Sequence, residues 1–307
     1  MASWCLKVCV YPTRIAYRVA LVAAILLSML SGTASTQESE DEVNEKINLR
    51  VAAGQFRSEP NLDANLESIQ RMMDEAAERE VDLIVFPEAG LTGYPPKDCK
   101  SLNYVNQKRT EKALKDVQQR AQALHLAVAI GAAWKDEDNV WRNRAFLIDE
   151  NGEALGDYDK IQQTGHERKF FTDGKRLPTF QWRGLRVGML ICMDMRYCEL
   201  WRLMRKENVQ LMLHLASAAG SAEWKVPVLD GTMRYHAASN GYHIVSCNNA
   251  GPIPMMVSAI YNPDGLVLAK ANYAVEELIV ADIQIGKLKG FVDYAEEVYD
   301  LRRVTPE

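Results

Sequence analysis

An apolar run at residues 187–191 stops at Cys192, and charged residues, Asp194 and Arg196, follow at once. A short apolar run bounded this way reads as a buried strand. It sets a thiol at the carboxyl end of a strand, which is where open α/β sheets build their sites. A lone cysteine is more often a small buried hydrophobe than a reactive group. Two further strand ends change that balance.

Residues 81–86 form a second apolar run, and Pro87 and Glu88 end it. Residues 156–159 form a short strand-like piece that ends in Lys160. A surface Glu or Lys is usually solvated decoration. A carboxylate, an ammonium and a thiol at three strand ends are nevertheless the parts that acyl transfer through a thioester needs. The carboxylate takes the thiol proton, the sulfur attacks a carbonyl, and the ammonium stabilises the oxyanion that develops. The backbone N–H of Met193, next after the thiol, is a natural second donor to that oxyanion.

The rest of the chain alternates strands and helices. Strands are expected at 50–56, 81–86, 127–133, 144–148, 187–191, 211–215, 242–247, 255–261, 266–270 and 278–283. Helices are expected at 61–80, 104–124, 198–207 and 223–240. In the first helix Leu62, Leu66, Ile69, Met72, Met73 and Ala76 recur at helical spacing and read as core packing. Alternating elements indicate an α/β fold. Spacing alone does not separate a four-layer sandwich from a doubly wound sheet. No internal repeat is visible.

Three motifs in order carry a resemblance. Residues 86–94 (FPEAGLTGY), 158–160 (YDK) and 191–194 (ICMD), with Arg196 and Glu199, resemble the Glu–Lys–Cys signature of the nitrilase superfamily of carbon–nitrogen hydrolases. Arg234, Asn240, Asn248 and residues 258–265 (SAIYNPDG) resemble its supporting pieces, and the likeness runs over about residues 48–290. It implies a single-domain four-layer α-β-β-α sandwich with Cys192 as nucleophile, Glu88 as base and Lys160 as oxyanion stabiliser. It also implies a second glutamate in the loop at 165–174 (GHERKFFTDG), where Glu167 is the matching position, to hold Lys160. The bland reading of Glu167 is a solvated loop residue between Arg168 and Lys169. Tyr94, Arg196 and Trp224 are candidate substrate-binding residues with Met193. Arg196 equally suits a salt bridge to Asp194 or Glu199, and Tyr94 and Trp224 equally suit packing. Residues 91–98 resemble the glutaminase part of glutamine-dependent NAD synthetases, whose overall function is not carried over. Residues 161–164, Cys198 and the segment 214–219 (HLASAA) depart from the superfamily pattern.

The activity so implied is hydrolysis of a linear amide or N-carbamoyl amide, with release of ammonia or an amine. Acyl transfer to an amine, nitrile hydrolysis on the same residues, and a non-catalytic binding role are the alternatives. No cofactor is needed, and His125, His166, His214, His236 and His243 lack zinc-type spacing. A homo-oligomer joined through the 198–207 helix region is expected from the resemblance.

Charge and the amino terminus bound the rest. Three of the 36 basic residues (Lys7, Arg14 and Arg18) and none of the 41 acidic ones lie in residues 1–35, so the remainder carries −8. With no basic run, nucleic-acid binding is not expected. Residues 19–30 are apolar, basic residues precede them and small residues follow, the layout of a secretory signal peptide. Export to a periplasm or the exterior is expected, with a membrane anchor at 19–30 as the alternative. An acidic linker at 36–47 precedes the hydrolase domain at 48–290, and a tail at 291–307 follows. Removing the leader leaves Cys99, Cys192, Cys198 and Cys247. A nucleophilic Cys192 argues against a disulfide framework. A regulatory Cys192–Cys198 disulfide is one hypothesis, and Cys247 reads as a buried core thiol.

Overall fold

The helical periodicity of residues 61–80 becomes α1 (Leu62–Glu78), started by Asn61, whose side chain accepts from the Ala64 N–H at 3.3 Å. The second long helix, α2 (Gln107–Leu124), starts three residues later than its apolar pattern suggests, because Asn106 caps it through the Arg109 N–H at 3.1 Å. The computed structural model describes residues 46–220 and 222–286. The expected leader, the anchor segment at 19–30, the linker up to residue 45 and the 291–307 tail lie outside the described residues.

Two six-stranded sheets carry the fold. The first has the order β12-β1-β2-β3-β4-β5, built from β1 (Ile47–Gln55), β2 (Leu83–Val85), β3 (Ala127–Lys135), β4 (Trp141–Ile148), β5 (Ala154–Asp159) and β12 (Glu277–Ile285). The second has the order β11-β10-β9-β8-β7-β6, built from β6 (Thr179–Trp182), β7 (Leu185–Ile191), β8 (Leu211–Ala216), β9 (His243–Asn248), β10 (Ala259–Tyr261) and β11 (Val267–Lys270). Each has a parallel centre, β1-β2-β3 and β7-β8-β9, extended by antiparallel strands.

Strand alternation divides the apolar residues between two cores. Val51 and Ala53 of β1 and Ala145 and Leu147 of β4 face the core between the sheets, with Val187, Met189 and Leu213. Ala52, Phe146 and Ile148 face the other way and pack on Ile69, Met72 and Met73 of α1 and Val117 of α2. Helices α3 (Cys198–Lys206) and α4 (Lys225–Asn240) cover the second sheet through Trp201, Met204 and Met233. The layers are therefore helix, sheet, sheet, helix, as the resemblance implied.

Apart from shifted strand ends, the largest at β2, which keeps three of its six expected residues, two elements differ from the sequence-based expectation. The edge strand β6 was not expected, since its four residues lie between loops. The strand expected at 255–261 shrinks to β10, because the preceding backbone is bonded elsewhere. Met255 donates to the Ala218 carbonyl at 2.8 Å, and Ser258 N–H donates to the Gln55 side chain at 2.9 Å.

Candidate active site

Strand ends deliver the site. Past β2 the chain makes a tight turn through Pro87, with Gly90 N–H bonded to the Pro87 carbonyl at 3.0 Å and Leu91 N–H to Gly131 of β3 at 3.0 Å. A Cβ at Gly131 would stand 2.6 Å from the Ala89 nitrogen, so only glycine lets this turn settle on β3. The turn buries Glu88 completely.

Lys160 follows β5 directly, and its N–H donates to the Asn143 carbonyl of β4 at 2.9 Å. The loop after it returns beneath the strand. Gly174 donates to the Lys160 carbonyl at 2.8 Å, and a side chain at Gly174 would overlap the Asp159 carbonyl. Within this loop Glu167 opens a short 3-10 turn (Glu167–Lys169) and is fully buried while Arg168 and Lys169 face solvent. It accepts from Thr164 N–H at 2.8 Å and donates its own N–H to Thr164 Oγ1 at 3.2 Å.

The three groups meet. Lys160 Nζ donates to Glu88 Oε1 at 2.6 Å and to Glu167 Oε1 and Oε2 at 2.8 and 2.9 Å. Asn143 Nδ2 donates to the same two Oε1 atoms, each at 2.8 Å, and Ser217 N–H, just past β8, donates to Glu88 Oε2 at 2.8 Å. Burial pushes the Glu88 carboxyl above its usual range, against the pull of Lys160. Burial alone would raise Glu167 as well, but Lys160 and the Thr164 donors hold it below that range. Burial works against the Lys160 ammonium, yet Glu88, Cys192 and Glu167 outweigh it and raise Lys160 well above an ordinary lysine.

Cys192 opens the 3-10 turn Cys192–Arg196 at φ +45°, a left-handed conformation in which a non-glycine residue is strained. Asp194 holds the turn. Its carboxylate accepts from Ile191 N–H at 3.0 Å, Gln162 N–H at 2.8 Å and Tyr158 Oη at 2.7 Å. Burial lifts Asp194 to about 6. Burial and then Glu88 push the Cys192 thiol up, so at neutral pH the sulfur keeps its proton until a base removes it. The first N–H groups of a helical turn lack intrahelical acceptors, which leaves Met193 N–H available beside the sulfur.

The remaining candidates divide. Tyr94 lies over the site, its hydroxyl 3.5 Å from Thr164 Oγ1, and burial followed by the charges of Glu88 and Glu167 raises its pKa. Arg196 and Trp224 instead share a neighbouring cleft of about 490 Å³ with Met195, Tyr235 and His236, which none of Glu88, Lys160, Glu167 or Cys192 lines. Neither Asp194 nor Glu199 forms an ion pair with Arg196 among the described residues, and Asp194 is taken up by its three donors. Trp224 is 69% exposed and lies beneath the Lys225 ammonium, 5.6 Å from the ring centre. Cys192 and Cys198 are both free thiols, as are Cys99 and the buried Cys247. Among the described residues no group of three His, Cys, Asp or Glu side chains is arranged to hold a metal ion.

Sequence reasoning passed over Asn143 and Ser217. Asn143 carried one legible signal, since it is polar at the inward register of Ala145 and Leu147. Ser217 acts through its backbone, and its one signal was its place in the departing segment 214–219.

The family model described as carbon–nitrogen hydrolase matches residues 50–291. A glutamine-dependent NAD(+) synthetase of Acinetobacter baylyi is 27% identical over 248 residues, covering 77% of this chain and 44% of that protein. The chain thus spans less than half of that relative, and likewise of the Thermotoga maritima synthetase at 29% identity, where it covers 78% of this chain and 42% of that protein. An (R)-stereoselective amidase of a Pseudomonas species is 28% identical over 197 residues, 64% of this chain and 66% of that protein. The crystal structure of an amidase from Nesterenkonia sp. superposes with a TM-score of 0.68 at 24% identity, covering 76% of this chain and 90% of that one, and so shares the fold.

Proposed function

This chain belongs to the carbon–nitrogen hydrolase family, and on that basis we propose that it hydrolyses a linear amide or N-carbamoyl amide through a thioester on Cys192. The observation that carries this reading is the fully buried 2.6 Å Lys160–Glu88 pair, within electrostatic reach of a cysteine held at φ +45°.

In the proposed reaction Cys192 Sγ attacks the amide carbon while its proton passes to Glu88. Glu88 Oε1 already accepts two bonds and Oε2 one, so Oε2 keeps the spare lone pair for that proton. Lys160 and Met193 N–H stabilise the oxyanion. Glu88 then protonates the leaving nitrogen, the C–N bond breaks, and ammonia or an amine departs. Water attacks the thioester with Glu88 again as base, the C–S bond breaks, and the acid leaves with the thiol restored. Glu167 and Asn143 hold Lys160 and Glu88 in register, and Tyr94 lines the substrate side.

The test is ammonia release from a panel of linear amides, N-carbamoyl amino acids and nitriles, with Cys192→Ala beside the parent. Release by the parent and none by the variant is the expected result. Equal release by both would end the thioester reading.

The same reading extends to assembly and location. A homo-oligomer through α3 is supported by the exposed apolar residues Leu203 on α3 and Tyr197 just before it, and by Val228 and Tyr235 of α4, which are exposed and line the neighbouring cleft. Export is supported by the basic–apolar–small order of residues 1–35. A mass measurement of the protein recovered from the secreted and the membrane fractions of its host would show whether the leader is removed or residues 19–30 are retained as an anchor.

A further inference from the structure

His214 interrupts the apolar strand β8. It is fully buried. In the parallel register of the second sheet it lies between Leu190 of β7 and Ser246 of β9. Its two ring nitrogens reach different partners. Nδ1 is 2.9 Å from Ser246 Oγ, and Nε2 is 3.3 Å from the Cys192 carbonyl oxygen. A carbonyl only accepts, so Nε2 carries the proton, and Nδ1 then accepts from the Ser246 hydroxyl. Burial lowers His214 to about 4, so the neutral ring that this pattern requires is the one present at neutral pH. The carbonyl thereby fixes the tautomer, the Ser246 hydroxyl holds the ring through Nδ1, and the ring so held fixes which way the Cys192 carbonyl points.

That carbonyl shares a planar trans peptide with the Met193 N–H, and the two point in opposite directions. Tethering one therefore aims the other. Cys192 at φ +45° is held in a strained conformation, so a peptide at this position needs a tether to stay there. Asp194 supplies one from the far side of the turn through Ile191 N–H. His214 supplies the other at the peptide itself.

We propose that His214, with its ring held in place by Ser246, is a positioning residue that aims the Met193 N–H at the oxyanion. This deepens the thioester reading above and rests on it. His214 touches neither substrate nor sulfur. It acts through the 192–193 peptide, so its loss weakens the step that builds charge on the carbonyl oxygen and spares reactions of the thiol that build none.

The experiment compares the full chain with His214→Met, His214→Gln and Ser246→Ala. Four quantities are read: kcat and KM for ammonia release from the best amide of the panel, thermal unfolding, and the rate at which methyl methanethiosulfonate modifies Cys192. The last is followed by mass spectrometry of the Cys192 peptide, since that reagent forms no oxyanion at carbon. His214→Met is expected to lower kcat by about tenfold to a hundredfold, less than the roughly hundredfold to thousandfold that follows outright removal of one oxyanion donor. KM and the thiosulfonate rate should stay within about threefold, well inside that margin. His214→Gln, whose Nε2–H has similar reach, should restore most of kcat, and Ser246→Ala should fall between. Unchanged kcat in His214→Met and Ser246→Ala would overturn the proposal. So would a parallel loss of the thiosulfonate reaction without rescue by Gln, which is the signature of packing alone. If His214→Met fails to fold, the contrast between Ser246→Ala and the parent decides. A parent that releases no ammonia from any amide overturns the hydrolase reading and this inference with it, whereas an active parent with indifferent variants overturns this inference only.

Discussion

Glu88 receives three donors on two oxygens, and each has a separate consequence. Lys160 and Asn143 lower its pKa while burial raises it, and burial wins. A base works only when deprotonated, so kcat/KM is expected to fall as pH drops through an inflection above 4.5, the ordinary value for a glutamate. The raised Cys192 thiol places no matching limb below 9.0. A kcat/KM profile against pH checks both statements. Asn143→Leu removes a bond that favours the charged carboxylate, so the acid limb should move to higher pH in that variant. A limb that stays in place would remove Asn143 from the proton's environment.

Turns rather than strands hold the reactive groups. Asp194 accepts from three donors and offers none, so an amide in its place turns an N–H toward a donor. Asp194→Asn is expected to cost about 1–3 kcal/mol, the usual penalty for a mismatched buried polar group. Denaturant unfolding measures it, and a cost near zero would mean that the 3-10 turn does not depend on those bonds. Gly131→Ala drives a methyl into the Glu88 turn at 2.6 Å from the Ala89 nitrogen. Overpacking of this kind costs about 1–3 kcal/mol, and here it should also lower kcat because Glu88 moves off Lys160. Full activity with normal stability in Gly131→Ala would show that the turn yields freely. The helices were legible at this scale because their apolar spacing and their Asn61 and Asn106 caps lie within one stretch of chain. Strand β6 was not, and neither was the shortening of β10, since both depend on partners distant in sequence.

Leu203, 48% exposed in the middle of α3, is the position at which the proposed oligomer is most directly tested. Leu203→Asp should shift sedimentation to a smaller species while leaving the unfolding midpoint of the subunit close to the parent's; no shift would remove α3 from the interface. At the scale of the whole chain, the amino-acid sequence by itself determined the alternation of elements, the helical faces, and three strands that end in Glu88, Lys160 and Cys192. Those are properties of contiguous residues, set by apolar runs of fixed period and by the polar residue that stops each run. Only the tertiary structure decided that the two sheets pack face to face, that Asn143 bridges Glu88 and Glu167, that Ser217 N–H meets Glu88, and that His214 reaches the Cys192 carbonyl. Each of those pairings joins residues 22 to 129 positions apart, across a sheet, between sheets or from a strand to a distant loop. Register and packing bring them together, and no local pattern of the chain carries that information.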